Sequence, residues 1–445
     1  LARIDRLNPG INALISLKSP ETLLADARQM DELAARGQWL GWMHGMPQAI
    51  KDLAATRDIR TTYGSPLYRD FQPTEDSLIV ERVRRAGAIV IGKTNTPEFG
   101  LGSQSYNPVH GVTRNAYDPA LCAGGSSGGA AAALAARLLP VADGSDMGGS
   151  LRNPAAYNNV FGFRPSAGRV PKYPVPEAFI EQLGVEGPMG RSVPDVARLL
   201  ATQAGPDPRA PLSRSDDPAV FALPLEAPMR GLRVGWLGDL EGYLPFEPGI
   251  LELCEQGLKA LADIGCEVQA SSLGFAPQRL WEMWLTLRSC VVAGGRWDDY
   301  ADPARRAQMK PEAVWEVERG RSASALDVYR ASKERTAWHR HLLTLFQRFD
   351  ILVLPTAQVF PFDADQHWPR TIAGREMDTY HRWMEVVIGP TLAGAPAISV
   401  PVGFGAAGAP MGMQLIGAPG ADLRVLQVAH AYDQATRWVE RRPPL

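Results

Sequence analysis

The chain has 445 residues, of which 45% are hydrophobic and 21% charged, and its formal net charge is −2. That length and composition suit a globular protein with a large core. The near-neutral balance excludes the basic footprint of a nucleic-acid binder, and no apolar run reaches the roughly 20 residues of a membrane-spanning helix.

Leu1-Ala2-Arg3-Ile4-Asp5 lacks the apolar centre of a secretory leader and has no starting methionine. Cys122, Cys254, Cys266 and Cys290 show neither CxxC spacing nor a histidine cluster. The expectation is no metal site, no disulfide framework and a reducing cytoplasm. Seven lysines stand against 39 arginines. Lysine is the one of the two that can become neutral inside a protein and act as a base.

Pro20 to Arg36 reads as a helix closed by Gly37. Met46 to Ile50 reads as a short strand, which sets Lys51 at a strand end, where functional residues of α/β sheets gather. A lysine there can equally be a plain solvated charge. Thr74 to Arg85 has the spacing of an amphipathic helix, and Ala88 to Ile91 that of a strand. Gly87, Gly92, Lys93 and Thr94 match the phosphate-loop pattern G-x-x-x-x-G-K-[ST]. That pattern needs a strand before its first glycine and a loop between the two. Here a helix precedes Gly87 and the four intervening apolar residues are themselves the strand, so phosphate binding is rejected.

The stretch from Gly124 to Pro154 is the most informative in the chain. It opens with Gly124-Gly125-Ser126-Ser127-Gly128-Gly129 and closes with Asp146-Met147-Gly148-Gly149-Ser150-Leu151-Arg152-Asn153-Pro154. Between them, six alanines and Leu134 predict a helix over Ala130 to Arg137, and Leu138 to Ala142 a short buried strand. Two glycine-rich turns joined by one helix and one strand can meet at a single site. Glycine lets backbone N–H groups approach a ligand closely, and a serine among such groups suggests a nucleophile beside an oxyanion hole. The bland reading of either turn alone is a flexible loop or a helix cap.

Further on, Val193 to Gln203 reads as a helix, and residues 206–230 as a surface excursion rich in proline, aspartate and serine. Leu232 to Leu237, Pro248 to Ile264 and Cys266 to Ala270 suggest a βαβ unit. Pro277 to Phe349 is helical and rich in tryptophan (Trp281, Trp284, Trp297, Trp315, Trp338), the wall of an apolar pocket or simply core. Ile351 to Leu354 follows as a strand and Tyr380 to Ile388 as a helix. Ala397 to Val402 and Met411 to Ile416 read as paired strands, and Asp422 to Trp438 as a closing helix. With no repeat or linker, residues 1–445 are expected to form one α/β domain.

Gly124, Ser126 and Gly128 also satisfy G-x-S-x-G, the nucleophile elbow, which wants a buried strand immediately upstream. Tyr117-Asp118-Pro119-Ala120 is turn-like instead, although His381 and His430 leave a downstream triad order open.

Taken in order, several segments resemble the amidase signature family. They are Gly45 to Asp52, Gly92-Lys93-Thr94-Asn95, the two glycine-serine turns, Gly187-Pro188-Met189, Pro396 to Pro401 and Gly412 to Gly417. The resemblance implies an α/β/α fold, with a large mixed sheet flanked by helices and the Trp-rich region at about 277–349 on the substrate side. It implies a Ser–cisSer–Lys triad in which Ser150 is the nucleophile, Ser126 the bridging serine after a cis peptide bond, and Lys51 the base. The backbone N–H groups of Met147, Gly148, Gly149 and Ser150 would form the oxyanion hole, each donor being worth about 3–4 kcal/mol at the transition state. Ser127 would support Ser126 or Lys51, Asp146 and Arg152 would brace the loop, and Lys93 and Asn95 would be structural.

Two departures are visible: Cys122-Ala123 replaces the threonine-proline usual before the double glycine, and Met147 replaces a smaller or β-branched residue. The activity implied is hydrolysis of a carboxylic amide through an acyl-enzyme, without cofactor or metal. The expected partner is a small-molecule amide, with a homodimer allowed and neither nucleic acid nor a membrane. The alternative is the subunit of a tRNA-dependent glutamine amidotransferase, which shares the whole core. Residues from about 291 to 330 do not resemble that subunit's pattern.

Overall fold

The computed structural model describes residues 1–445. The chain begins with α1 (Ala2–Ile11), β1 (Leu14–Ile15), α2 (Pro20–Ala35) and β2 (Pro47–Lys51). Ser19 caps α2 by accepting the Thr22 N–H, and Pro20 stands at its first turn, where a missing N–H is harmless. Next come α3 (Leu78–Arg85), β3 (Ile89–Thr94) and the small hairpin of β4 (Tyr106–Asn107) and β5 (Gly111–Val112). The central stretch supplies α4 (Gly128–Ala135), β6 (Val141–Asp146) and α5 (Arg152–Tyr157).

Then follow β7 (Phe161–Arg164), β8 (Val185–Gly190), α6 (Val193–Gln203), β9 (Arg233–Trp236), α7 (Ile250–Asp263) and β10 (Glu267–Ala270). Four helices come in succession: α8 (Pro277–Ala301), α9 (Pro303–Arg306), α10 (Pro311–Ser322) and α11 (Ala325–Arg348). The chain ends with β11 (Ile351–Pro355), β12 (Thr371–Ile372), β13 (Arg375–Glu376), α12 (Ile388–Ala393), β14 (Ala397–Phe404), β15 (Pro410–Ile416) and α13 (Asp422–Thr436).

Eight strands make one mixed sheet in the order β10-β9-β11-β15-β14-β7-β8-β6. Strands β9 and β10 are parallel around α7, the βαβ unit expected from their spacing. β14 and β15 form the antiparallel pair read from the tail. A second sheet, β1-β3-β2, has β2 and β3 parallel, and β2 packs against β6. The architecture is α/β, a large mixed sheet with flanking helices. No helix is long and apolar enough to cross a membrane.

Between the sheets lies α4, all eight of its residues buried in a core of their own. Small side chains let it sit close to both neighbours. A Cβ at Gly129 would come within 2.3 Å of the Asn95 backbone nitrogen, so the glycine there is a packing requirement.

The main departures from the sequence reading concern strand ends. The strand expected over Leu138 to Ala142 begins at Val141 and continues to Asp146, because all six residues pair with β8, from Val141 opposite Gly190 to Asp146 opposite Val185. The ladder overrides the turn-forming Asp143-Gly144-Ser145. Likewise β3 runs through Gly92-Lys93-Thr94, held by β1 on one edge and β2 on the other. Helix α3 starts at Leu78 rather than Thr74. The segment 380–388 is a 3₁₀ stretch over Arg382–Val387 leading into α12. Residues 206–230 are mostly irregular, yet Phe221, Leu225 and Met229 are buried in the main core.

Candidate active site

Lys51 is the last residue of β2 and is fully buried. Its Nζ lies 2.7 Å from Ser126 Oγ, 2.8 Å from Ser127 Oγ and 3.0 Å from Ser145 Oγ, with the Ser145 carbonyl at 3.4 Å. Burial brings its pKa down to about 7, against the pull of Asp143, Asp146 and Glu186. A neutral amine has two N–H donors and one lone pair, so a hydroxyl of this ring must donate to it when it is unprotonated.

Ser126 and Ser127 precede α4 on a tight approach. Gly124 has φ +69°, and the Gly125–Ser126 peptide is cis. A Cβ at Gly128 would stand 2.4 Å from Ser105 Oγ, which instead accepts the Gly128 N–H at 3.1 Å. The approach therefore depends on glycine for close packing as well as for backbone freedom.

Asp146, at the end of β6, organises the second turn. Its carboxylate accepts from Gly149 N (3.0 Å), Leu151 N (3.3 Å), Arg152 Nε and Nη2 (both 3.0 Å) and Arg164 Nη1 (3.1 Å). All three charged side chains are fully buried. Burial works against ionisation, but Arg152 and Arg164 hold the carboxyl well below the usual range. Arg152 also reaches Gln414 Oε1 at 2.6 Å and the Val387 carbonyl at 3.0 Å, tying the turn to β15 and the segment before α12.

The four N–H groups expected to face an oxyanion do not all point the same way. Gly149 donates to Asp146. The N–H groups of Met147, Gly148 and Ser150 make no hydrogen bond within the protein. Gly149 has φ +88°, and a Cβ there would meet Val387 at 2.8 Å, so no other residue fits. The Trp284 indole donates to the Met147 carbonyl at 3.3 Å, and its ring backs Gly148.

Ser150 and Ser126 face one cavity of about 320 Å³, and the Ser127 N–H donates to the Ser150 carbonyl at 3.2 Å. No hydrogen bond joins the two hydroxyls in the empty site; such contacts often tighten only when substrate is bound.

Lys93 is also fully buried, and it donates to the Ala54 carbonyl (2.5 Å), Thr56 Oγ1 (2.8 Å) and Thr61 Oγ1 (3.2 Å). Asn95 donates to the Gly111 carbonyl and Thr113 Oγ1. Neither residue lines the cavity. His44 bonds the Met30 carbonyl on α2. His381 is packed beside Glu316, and burial lowers its pKa to about 4. No group of three or more His, Cys, Asp or Glu side chains is arranged to hold a metal ion.

The sequence reading missed four residues here. Asp143 accepts the Lys51 N–H at 3.1 Å, and Ser145 meets Lys51 Nζ. Both stand on one face of β6 at i and i+2, a signal hidden because the strand was ended at Ala142. Arg164 closes the Asp146 network from β7. Arg288, buried on α8, lines the cavity while paired with Glu316 at 2.7 Å and Tyr380 at 2.9 Å. Of the tryptophans, Trp281, Trp284 and Trp338 are core, Trp297 is exposed, and none lines the cavity. The α8 wall is supplied by Arg288 and Val292.

A family profile described as Amidase matches residues 1–426. A Glutamyl-tRNA(Gln) amidotransferase subunit of Synechococcus sp. (strain CC9605) is 36% identical over 465 residues, covering 100% of this chain and 93% of its own. Among solved structures, a bacterial aryl acylamidase of the amidase signature enzymes superposes with TM-score 0.92 at 28% identity, over 99% of this chain and 92% of that one. The corresponding amidotransferase subunit of Thermotoga maritima gives TM-score 0.78 at 27% identity, over 97% and 89%.

Proposed function

The chain belongs to the amidase signature family, hydrolases of amide C–N bonds, and from that premise we propose that it cleaves a carboxylic amide through an acyl-enzyme on Ser150. The observation that carries this reading is the buried Lys51 amine, with a pKa near 7, in contact with the Ser126 hydroxyl on the wall that Ser150 shares.

In the proposed reaction Ser150 Oγ attacks the amide carbonyl as its proton passes to Ser126 Oγ, whose own proton passes to Lys51 Nζ. A serine hydroxyl is a weak nucleophile until a neighbour takes its proton, and the bridging hydroxyl can donate and accept at once. The negative oxygen that develops would be met by the N–H groups of Met147, Gly148 and Ser150, fixed donors that need not reorganise. Gly149 serves the turn rather than the oxyanion, because its N–H is held by Asp146. The proton on Lys51 returns through Ser126 to the leaving nitrogen, and ammonia or an amine departs. Water then repeats the relay and releases the carboxylate. No step calls on a histidine or metal. Four unpaired thiols fit work in a reducing cytoplasm.

The test is a panel of amides assayed for ammonia or amine release with the unmodified protein and with Ser150→Ala. Release by the former and none by a folded Ser150→Ala protein is expected. Near-normal turnover by that variant would overturn the assignment, and acyl transfer to Ser126 would favour the nucleophile elbow. The amidotransferase relatives support a second reading, in which the same site releases ammonia from glutamine inside a tRNA-dependent complex. Glutamine as the one amide hydrolysed, and only with partner proteins present, would decide for it.

A further inference from the structure

Beside the cavity at Ser150 lies a second one, of about 690 Å³, which the proposed chemistry does not use. The two have Lys172, Val175, Gly184 and Val185 as common walls. Val185 opens β8 directly opposite Asp146, so this wall begins one strand away from the nucleophile turn. The opposite wall of both is α8. Arg288 and Val292 line the inner cavity, and Val291, Gly294 and Gly295 the outer one, on an adjoining face of the helix.

Glycine weakens a helix interior, and here two come in succession. A Cβ built on either meets nothing within 4 Å, so they do not serve close packing; they leave the space open. The outer cavity is otherwise mostly apolar, with Val170, Ile180 and Leu212 among its walls. Of its charged groups, Lys172 pairs with Glu181, and the Glu177 carboxylate is turned to the backbone, accepting the Ile180 and Glu181 N–H groups at 2.8 and 2.9 Å. An anionic ligand would find no unpaired cation there.

We propose that the outer cavity binds the far end of the substrate, an uncharged and mainly apolar chain or aryl extension of the amide whose carbonyl sits at Ser150. The placement of the amide rests on the amidase reading above. The two volumes together suit a ligand well beyond a simple small amide.

Binding and turnover test the two ideas separately. On the Ser150→Ala background, Kd is measured by calorimetry for straight-chain primary amides from butyramide to decanamide, and for N-alkylacetamides of matching length. In one of the two series Kd should fall about three- to fourfold per added methylene once the chain outgrows the inner cavity. The pair Gly294→Leu and Gly295→Phe, filling the outer cavity from the helix side, should abolish that gain, so that decanamide or its N-alkyl counterpart binds no better than the shortest member that fills the inner cavity. If the pair fails to fold, Leu212→Trp from the facing wall makes the same test. A gain with length that survives these substitutions, no gain in either series, or an equal loss for the short and long amides overturns the proposal. Turnover of the same amides by protein with Ser150 intact reads the chemistry alone. A length-dependent Kd without hydrolysis keeps the cavity assignment and rejects the amidase one.

Discussion

Two lysines, one residue apart in register on neighbouring parallel strands, share burial and differ in what surrounds them. Lys93 stands opposite Ile50, and Lys51 opposite Thr94. Burial depresses both, to about 8 for Lys93 and about 7 for Lys51. The hydroxyls around Lys93 end at backbone: Thr56 donates to the Ala54 carbonyl at 3.1 Å and Thr61 to the Ile59 carbonyl at 3.3 Å. Those around Lys51 lead to a cavity, because Ser126 and Ser145 both line it. A shifted pKa therefore does not by itself mark a base. Access through a hydroxyl to open space is the difference between the two, and the proposed reaction uses it only at Lys51.

Replacing each lysine breaks the comparison most directly. Lys51→Arg should lower kcat by about 10²–10⁴-fold, as loss of a general base does, because a guanidinium stays protonated at any usable pH. Turnover of one active amide, alongside a circular-dichroism spectrum showing a retained fold, checks this. A wild-type rate would return Lys51 to the status of a structural cation.

Asp146→Asn strikes the support of the nucleophile turn and leaves Arg152 and Arg164 buried without their shared counter-charge. Breaking such a pair costs about 3–5 kcal/mol, read as a lower midpoint in urea. The sign with pH follows from the depressed carboxyl. Its contribution is in place above the ordinary aspartate value of 3.8 and fades as acid protonates it, so the variant and the parent should converge in stability under acid.

Lys93→Met should behave in the opposite sense to Lys51→Arg. It removes the buried N–H donors to the Ala54 carbonyl and two threonine hydroxyls, for about 1–3 kcal/mol of stability, while kcat/KM at a permissive temperature stays within a few-fold. A collapse of kcat in a folded Lys93→Met protein would dissolve the contrast between the two lysines.

The mildest change is in the pH profile. If neutral Lys51 is the working form, activity should rise with pH through about 7, with the midpoint belonging to the coupled Lys51–Ser126–Ser127 set. Asp143 favours the charged form of Lys51, so Asp143→Asn should move that limb to lower pH. Lys93→Met should leave a limb of the same shape. An unmoved limb in Asp143→Asn would separate the profile from Lys51.

Much of the site could be read from residues alone, because its strongest requirements are local. The glycines at 124 and 149 take positive φ in turns within a few residues of the serines they serve, and Lys51 stands at the end of a recognisable apolar strand. The alanine helix between the turns follows from propensity. Those features pointed to a nucleophile beside an oxyanion hole; the grouping of Lys51 with Ser126 and Ser150, and of Asp146 and Arg152 beside them, came with the resemblance to the amidase signature family.

What the residues alone could not settle depends on partners far along the chain. Asp143 and Ser145 looked like turn residues until β8 paired with them across some 45 positions. Arg164, from another strand, completes the charge balance of Asp146, and the direction of the Gly149 N–H follows from that carboxylate. Ser126 is 75 residues from Lys51 in sequence, and α8, which walls the cavity, lies further still. Propensity and turn chemistry act over a few residues. Desolvation, ion pairing and the shape of a cavity are sums over neighbours that only the folded chain brings together, so the identities of the reactive groups were written locally while their protonation, orientation and surroundings were decided by packing.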